Sequence, residues 1–268
     1  MLKDKIFLFS SFMLTEDRAL ICEYNLNKTI SEKPKDIEFY IQDSSDENFR
    51  FCEKLKLDDL CFYENKKLNF LNSWKELLQK KETPYCLSVF DDFMFFGLDE
   101  KAIENGIKLL DSDHTIDCIL IDYYPFGKID EFNKKIKIDS QIIAQKNQNP
   151  NIIEVVEVEN SKFNIHNNDN AQFCYSWFMN TAIFRREKYL ESINFFSSRF
   201  TNPHQAELNF HICPDELKFK KVATFHNASV GMVDLGFAHS IGIRDLHNDT
   251  KKFFDLLLSG YSIENKYD

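Results

Sequence analysis

Apolar and polar residues follow two different periods along the first half of the chain. Strand-length runs rich in apolar residues begin at Ile6, Ile37 and Tyr85, as is typical of strands that are buried on both faces. Between them, apolar residues recur every three or four positions, as they do in amphipathic helices. Strands that alternate with helices of ten or more residues predict βαβ units. The pattern therefore predicts an α/β fold with a mostly parallel central sheet flanked by helices.

The second half of the chain is less regular. From Lys128 to Asn170 the sequence is polar and rich in Asn, with two short strand-like runs at 152–159 and 162–165. This region is either a long loop or a small antiparallel extension of the sheet. A strand followed by a helix is expected over 173–196, with Asn180 or Thr181 near the junction. Residues 230–245 are rich in Gly and typical of a loop.

Composition excludes several classes of protein. The net charge of −10 lacks the basic surface that nucleic-acid binding needs, so no nucleic-acid partner is expected. Seven scattered cysteines without a C-x-x-C pair are typical of reduced thiols in the cytoplasm. No window is long and apolar enough to span a membrane, so we expect at most peripheral contact with its inner face. Without an internal repeat or a linker, residues 1–268 are predicted to form a single domain.

Polar residues follow several of the predicted strands. Ser10 and Ser11 come after the first run, Asp43 and Ser44 after the second, and the adjacent Asp91 and Asp92 after the run that begins at Tyr85. In parallel sheets, ligands bind outside the carboxyl ends of the strands. We therefore expect these three groups to lie along one edge of the sheet and to form a binding site.

The pair Asp91 and Asp92 suggests a cation. Two neighbouring carboxylates repel each other, so a partly dry site keeps both ionised only when a cation is close. Mg²⁺ or Mn²⁺ is commonly shared between carboxylates and the phosphates of a substrate. The alternative is a polar turn in which Asp92 caps the following residues and Asp91 is solvated.

A resemblance to a known family rests on three segments. The stretches QDSSDEN, ENKKLNFLNSW and TPYCLSVFDDF resemble the nucleotide-sugar-binding half of GT-A-fold glycosyltransferases. They are most similar to the family-2-like enzymes of bacterial surface-polysaccharide synthesis, and the resemblance covers roughly residues 5 to 125. It implies a single GT-A-like (Rossmann-like) domain, with a nucleotide-sugar-binding half over 1–127 and an acceptor-binding half over 128–268.

The resemblance also implies roles for particular residues. Asp43 would contact the nucleotide base, and the D-x-D-type motif at Asp91 and Asp92 would bind the diphosphate and the metal. This sequence departs from a full D-x-D motif, because Phe90 stands where the first acid is expected. GT-A enzymes often add a late His to the metal shell, and His239 fits that position better than His226, which is more typical of a structural strand residue.

The acceptor side has weaker signals. An inverting transfer needs a carboxylate that deprotonates the acceptor hydroxyl, and Glu207 resembles that base because it follows an Asn-Pro loop and begins an apolar-periodic helix. The alternative is an exposed helix carboxylate. Tyr175, Trp177 and Asn180 combine aromatic faces with an amide, as sugar-binding sites do, although a buried strand explains them equally well.

The sequence thus predicts a metal-assisted glycosyltransferase that uses Mn²⁺ or Mg²⁺ and moves a sugar from a nucleoside diphosphate sugar. The acceptor would be a glycan or lipid-linked glycan of lipopolysaccharide, capsule or a related surface polymer. Two alternatives stay open. A nucleotidyltransferase is disfavoured because no Gly-rich loop follows the first strand, and a non-catalytic sugar-nucleotide-binding or scaffold protein of the same fold is compatible with Phe90.

Overall fold

The computed structural model describes residues 1–13, 19–45, 52–90, 93–97, 100–120, 142–143, 154–157, 181–209, 212–224 and 231–234. Within these ranges, eleven strands and five α-helices follow one another along the chain. The strands are β1 (Ile6–Phe12), β2 (Phe39–Asp43), β3 (Cys61–Asn65), β4 (Tyr85–Ser88), β5 (Phe93–Gly97), β6 (Cys118–Leu120), β7 (Ile142–Ile143), β8 (Glu154–Glu157), β9 (Ala182–Arg185), β10 (Lys221–Thr224) and β11 (Gly231–Asp234). The helices are α1 (Ala19–Glu32), α2 (Phe70–Leu78), α3 (Glu100–Ser112), α4 (Arg186–Ser197) and α5 (Pro203–Leu208), with short 3-10 helices at Leu2–Asp4, Cys52–Lys54 and Asp215–Leu217.

Nine of the described strands form one sheet in the order β3-β2-β1-β4-β9-β6-β10-β8-β7. Strands β1 to β4 are parallel to one another, and β9 runs antiparallel between β4 and β6. The edge of the sheet opposite β3 is antiparallel, because β8 pairs antiparallel with both β10 and β7. The α/β class, the mostly parallel sheet and the antiparallel extension in the second half are therefore confirmed. The division into two functional halves stays a prediction.

The sheet is buried on both faces. Neighbouring residues of β1 point to opposite faces, yet both Ile6 and Phe7 have no exposed surface. On one face, Trp74 of α2 and Tyr189 of α4 contact the ring of Phe9, with centroid distances of 5.0 Å and 6.4 Å. This double burial explains why the strands read as continuous apolar runs instead of alternating ones.

Helix α2 shows how local sequence sets its bounds. The side chain of Asn69 accepts a hydrogen bond from the backbone N–H of Asn72 at 2.9 Å and so caps the first turn. Four apolar residues on one face are buried, and the opposite face carries charged residues. These four are Leu71, Trp74, Leu77 and Leu78.

Some predicted elements differ from the observed ones. Strand β1 does not end before Ser10 and Ser11 but continues to Phe12, because both serines keep their pairing with β2. Among the described residues between β2 and β3, a 3-10 helix forms at Cys52–Lys54. Thr181 precedes β9, so it lies at the start of the strand instead of at its junction with α4.

The Gly-rich segment after 230 was also wrongly predicted as a loop throughout. Residues Gly231–Asp234 form β11, which pairs antiparallel with β5 in a separate two-stranded sheet. The register places Asp234 opposite Phe93 and Gly231 opposite Gly97. Long-range pairing of this kind depends on the partner strand, and a local pattern carries no information about the partner.

Two arginines join β9 and α4 to the ends of two earlier helices. Arg185 donates hydrogen bonds to the carbonyl oxygens of Leu110 at 2.6 Å, Ile116 at 2.9 Å and Asp113 at 3.0 Å. Arg186 donates to the carbonyl oxygens of Thr83 and Leu78 at 2.9 Å and 3.3 Å. Carbonyls at helix C-termini have no partner within the helix, so the guanidinium groups satisfy them.

We predict that Arg185→Ala lowers the free energy of unfolding by about 2–4 kcal/mol, because hydrogen bonds from a charged donor contribute about 1.5–3 kcal/mol each and are not additive. Urea unfolding followed by circular dichroism measures this loss. The matched control is Arg199→Ala, whose guanidinium is exposed and donates to the Phe195 carbonyl oxygen; it should cost less than about 1 kcal/mol. Equal losses in the two variants would contradict the role given to Arg185.

Candidate functional site

Buried polar side chains gather where the parallel strands end. The register aligns Phe12 of β1 with Asp43 of β2, and Asp43 with Asn65 of β3, so these three carboxyl ends lie side by side. Eight buried polar residues on β1, β2 and β4 and at the start of β9 form a group that we call the polar rim. They are Ser10, Ser11, Gln42, Asp43, Ser44, Ser45, Ser88 and Thr181.

Asp43 is the most strongly bonded member of the polar rim. It has no exposed surface, and its Oδ1 accepts a hydrogen bond from the backbone N–H of Ser45 at 2.7 Å. Its Oδ2 accepts from the Tyr63 hydroxyl at 2.6 Å and from Asn65 Nδ2 at 3.4 Å. A buried carboxylate is tolerated when donors surround it, and the edge strand β3 supplies two of the three.

Ser44 connects the rim to the helix layer. Its backbone N–H donates to the Phe12 carbonyl oxygen at 2.8 Å, which continues the pairing of β1 and β2 by one residue. Its hydroxyl lies 3.0 Å from the hydroxyl of Ser73 on α2. Because side chains alternate along a strand, Gln42 and Ser44 face α2, whereas Asp43 points to the opposite face of the sheet.

Two hydroxyls on the face of Asp43 are buried without a partner among the described residues. They are Oγ of Ser10 and Oγ1 of Thr181. The register of β1, β4 and β9, extended by one residue, puts both side chains beside Val89 on the same face of the sheet. A buried hydroxyl without a hydrogen bond is costly, so this face can accept a water molecule or a polar ligand group.

Strand β4 leads into an aromatic cluster. Phe90 is 7% exposed, and its ring lies 5.1 Å from the Trp74 ring and 6.5 Å from the Phe70 ring, measured between centroids. The position where the first acid of a D-x-D motif is expected therefore belongs to the hydrophobic core. Any metal ligand at this end of β4 has to come after residue 90.

The structure brings together four of the residues that the sequence predicts for nucleotide-sugar binding: Ser10, Ser11, Asp43 and Ser44. Glu207 does not begin a helix as expected, because α5 begins at Pro203 and Glu207 is its penultimate residue. The remaining predicted site residues lie outside the described residues. These are Asp91, Asp92, His239, Tyr175, Trp177 and Asn180.

Sequence reasoning missed Tyr63, Asn65 and Thr181. The segment LCFYE at 60–64 has the apolar and aromatic residues of a short strand, and applying the strand-end rule to it points to Asn65. Tyr63 carries no such signal, because its contact with Asp43 depends on the register of β2 and β3. Thr181 was considered only as a boundary residue, although it stands beside the end of β4.

Clearly shifted pKa values occur at the opposite end of the sheet. Burial, together with a hydrogen bond to Asp111, raises the pKa of Tyr85 to about 12. Hydrogen bonds from Thr115 and Lys221 lower the pKa of Asp113 to about 2, with the Thr115 hydroxyl as the largest cause. These groups join α3 to the first residues of β4 and β10, so their interactions stabilise the fold at the end remote from the polar rim.

The described residues contain neither a metal-binding cluster nor a membrane-spanning helix. No group of three or more His, Cys, Asp or Glu side chains is arranged to hold a metal ion within the ranges that the structure describes. In the same ranges, no helix combines the length and the apolar character needed to cross a bilayer.

No protein-family model matches the sequence, and no curated protein is significantly similar to it. Solved structures do match. A structure of S. aureus TarS residues 1–349 is 12% identical with a TM-score of 0.50, and the match covers 87% of this chain and 61% of that one. This chain therefore spans about three fifths of the TarS structure.

Two further structures match with lower TM-scores. The synthetase for CMP:2-keto-3-deoxy-manno-octonic acid, complexed with CTP, has a TM-score of 0.49 and 11% identity, covering 96% of this chain and 100% of that one. Mannosyltransferase PcManGT from Pyrobaculum calidifontis, in complex with GDP-Man and Mn²⁺, has a TM-score of 0.45 and 15% identity, covering 82% and 56%. The chain has the Rossmann-like, GT-A-like fold that the sequence resemblance implied.

We predict that Phe90→Asp, which would restore a D-x-D spacing, lowers the free energy of unfolding by about 3–5 kcal/mol, because it removes a buried ring and adds a charge to the core. Thermal and urea unfolding measure the loss. Phe90→Leu keeps an apolar side chain and should cost about 1 kcal/mol. If the Asp variant were as stable as the Leu variant, position 90 would not be a core position.

Proposed function

We propose that this chain is a glycosyltransferase that moves a sugar from a nucleoside diphosphate sugar to a glycan or lipid-linked glycan acceptor. The observation that carries the proposal is the polar rim, which lies at the carboxyl ends of parallel strands in a GT-A-like fold. Ligands of open α/β sheets bind in this place. Asp43, Ser10, Ser11 and Ser44 would bind the nucleoside, with Asp43 accepting a hydrogen bond from the base.

The diphosphate would bind where β4 ends. Asp91 and Asp92 directly follow the buried Phe90 and directly precede β5. Asp234 pairs with Phe93, and in the sequence Phe93 directly follows Asp92 while Asp234 precedes His239 by five positions, which supports a shared role for Asp92 and His239. These residues would hold Mn²⁺ or Mg²⁺, an ion that stabilises the negative charge of the departing diphosphate when bound.

The acceptor would bind on the side of the second half of the chain. Glu207 would take the proton from the acceptor hydroxyl, and the reaction would invert the configuration at the anomeric carbon. Tyr175, Trp177 and Asn180 would contact the acceptor sugar. Residues 1–127 would thus serve the donor and residues 128–268 the acceptor, within one domain that acts in the cytoplasm or at the inner face of the membrane.

The first test is donor binding and transfer. We expect a nucleoside diphosphate sugar with Mn²⁺ to raise the melting temperature of the chain, because a ligand that binds only the folded state stabilises it. We expect Asp92→Ala to lower kcat/KM for donor hydrolysis or transfer roughly 100-fold or more, since a metal supplies several kcal/mol of charge stabilisation. Asp59→Ala, at an exposed position, is the matched control and should retain activity.

The outcomes separate the proposal from its alternatives. No thermal shift with any nucleotide sugar and metal would overturn it, and near-normal turnover of Asp92→Ala would remove that residue from the mechanism. Binding without turnover would indicate a scaffold protein. Release of pyrophosphate from a nucleoside triphosphate and a sugar phosphate would indicate a nucleotidyltransferase.

A second test concerns the base. We expect Glu207→Gln to lower kcat roughly 100- to 10,000-fold, because general-base catalysis contributes about that much, while the dissociation constant of the donor stays unchanged. Glu191→Gln, on an exposed part of α4, should leave kcat unchanged. A normal kcat in the Glu207 variant would show that another group accepts the proton.

A further inference from the structure

The hydrogen bonds of Asp43 limit what else its carboxylate can accept. An ionised carboxylate offers about four acceptor positions, two on each oxygen. On Oδ2, the Tyr63 hydroxyl and Asn65 Nδ2 occupy both positions, at 2.6 Å and 3.4 Å. On Oδ1, the backbone N–H of Ser45 occupies one, at 2.7 Å. Within the described part of the chain, one acceptor position therefore remains, and it is on Oδ1.

The three common kinds of nucleobase edge make different demands on such a carboxylate. Guanine presents a ring N–H next to an exocyclic N–H, and both are paired only when each oxygen offers an acceptor position. Uracil and thymine present the same single ring N–H. Cytosine has an unprotonated ring nitrogen at the same place, so two lone pairs would face each other. A donor left unpaired in a buried site costs about 1–3 kcal/mol, which corresponds to roughly 5- to 150-fold in affinity.

We propose that the donor nucleotide is a uridine or thymidine diphosphate, selected because Tyr63 and Asn65 occupy Oδ2 of Asp43 and leave one acceptor position for a single ring N–H. This inference rests on the proposed function, since it assumes that a nucleotide base binds at the polar rim and reaches a carboxylate that has no exposed surface in this structure. Tyr63 acts through Asp43 and is thus a positioning residue. It lies on the edge strand β3, whose pairing with β2 places its hydroxyl against the carboxylate.

Isothermal titration calorimetry of the full chain with UDP, dTDP, GDP and CDP, each with Mn²⁺, tests the selectivity. We expect UDP or dTDP to bind about tenfold or more tightly than GDP or CDP. If GDP or CDP binds as tightly as the better of UDP and dTDP, this inference is overturned and the proposed function stands. If none of the four binds, the proposed function itself is overturned.

Two variants test the role given to the edge strand. Tyr63→Phe frees an acceptor position on Oδ2, so the affinity ratio of GDP to UDP should rise about tenfold. Asn65→Ala should raise the same ratio by a smaller factor, because the hydrogen bond from Asn65 to Oδ2 is longer. This second variant tests the inference if Tyr63→Phe folds poorly. Loss of stability alone would weaken the binding of both nucleotides and leave the ratio unchanged.

Tyr40→Phe is the matched control. Tyr40 also donates its hydroxyl to a carboxylate, that of Glu38, but it lies nearer the start of β2 and away from the polar rim. Removing the Tyr40 hydroxyl should leave the affinity ratio of GDP to UDP unchanged. If both Tyr63→Phe and Asn65→Ala keep the wild-type ratio, or if Tyr40→Phe changes the ratio as much as they do, the assignment of selectivity to Tyr63 and Asn65 is overturned.

Discussion

The packing of Trp74 is the contact on which the rest of the structure depends. Its indole is fully buried and lies 5.0 Å from the Phe9 ring of β1, 5.1 Å from the Phe90 ring and 5.8 Å from the Tyr189 ring of α4, between centroids. One side chain thus joins helix α2 to the central strand, to the end of β4 and to a helix from the second half of the chain. Aromatic rings bury more apolar surface than other side chains and contribute additional edge and stacking energy, so this cluster fixes where the strands end.

The consequence for the candidate site is a fixed apolar support next to the polar rim. The aromatic cluster occupies the face toward α2 and holds Phe90, the residue directly before Asp91 in the sequence, in the core. The opposite face carries Ser10, Asp43 and Thr181, which are buried polar groups at the ends of their strands. Beside the aromatic cluster, the α2 face carries Ser11, Gln42, Ser44 and Ser88. The apolar layer therefore supports a rim with polar groups on both faces, and pre-organised support of this kind is what a binding site needs.

Much of the fold could be predicted from the sequence, because apolar runs and helical spacing are local patterns. Strands β2 and β4 and helix α2 follow directly from them. What could not be predicted depends on register and on distant partners. The pairing of β5 with β11 joins Phe93 to Asp234, and no local pattern reports such a partner. The burial of Phe90 could not be predicted for the same reason. The sequence shows only that an acid is missing at this position, whereas the structure shows a core residue packed on Trp74.

In the candidate site, too, local patterns predict some features, and the others depend on the register of the strands. The strand-end rule correctly brought Asp43 and the serines together, because the carboxyl ends of parallel strands lie at one edge whatever their side chains are. It could not give the bonding of Asp43, since that depends on the tyrosine and asparagine that β3 places opposite it. An edge strand has a neighbour on one side only and contributes little to the core, as the partly exposed side chains of β3 illustrate. Its residues can therefore change without loss of the fold, which makes β3 a place where selectivity can evolve while the carboxylate itself is kept.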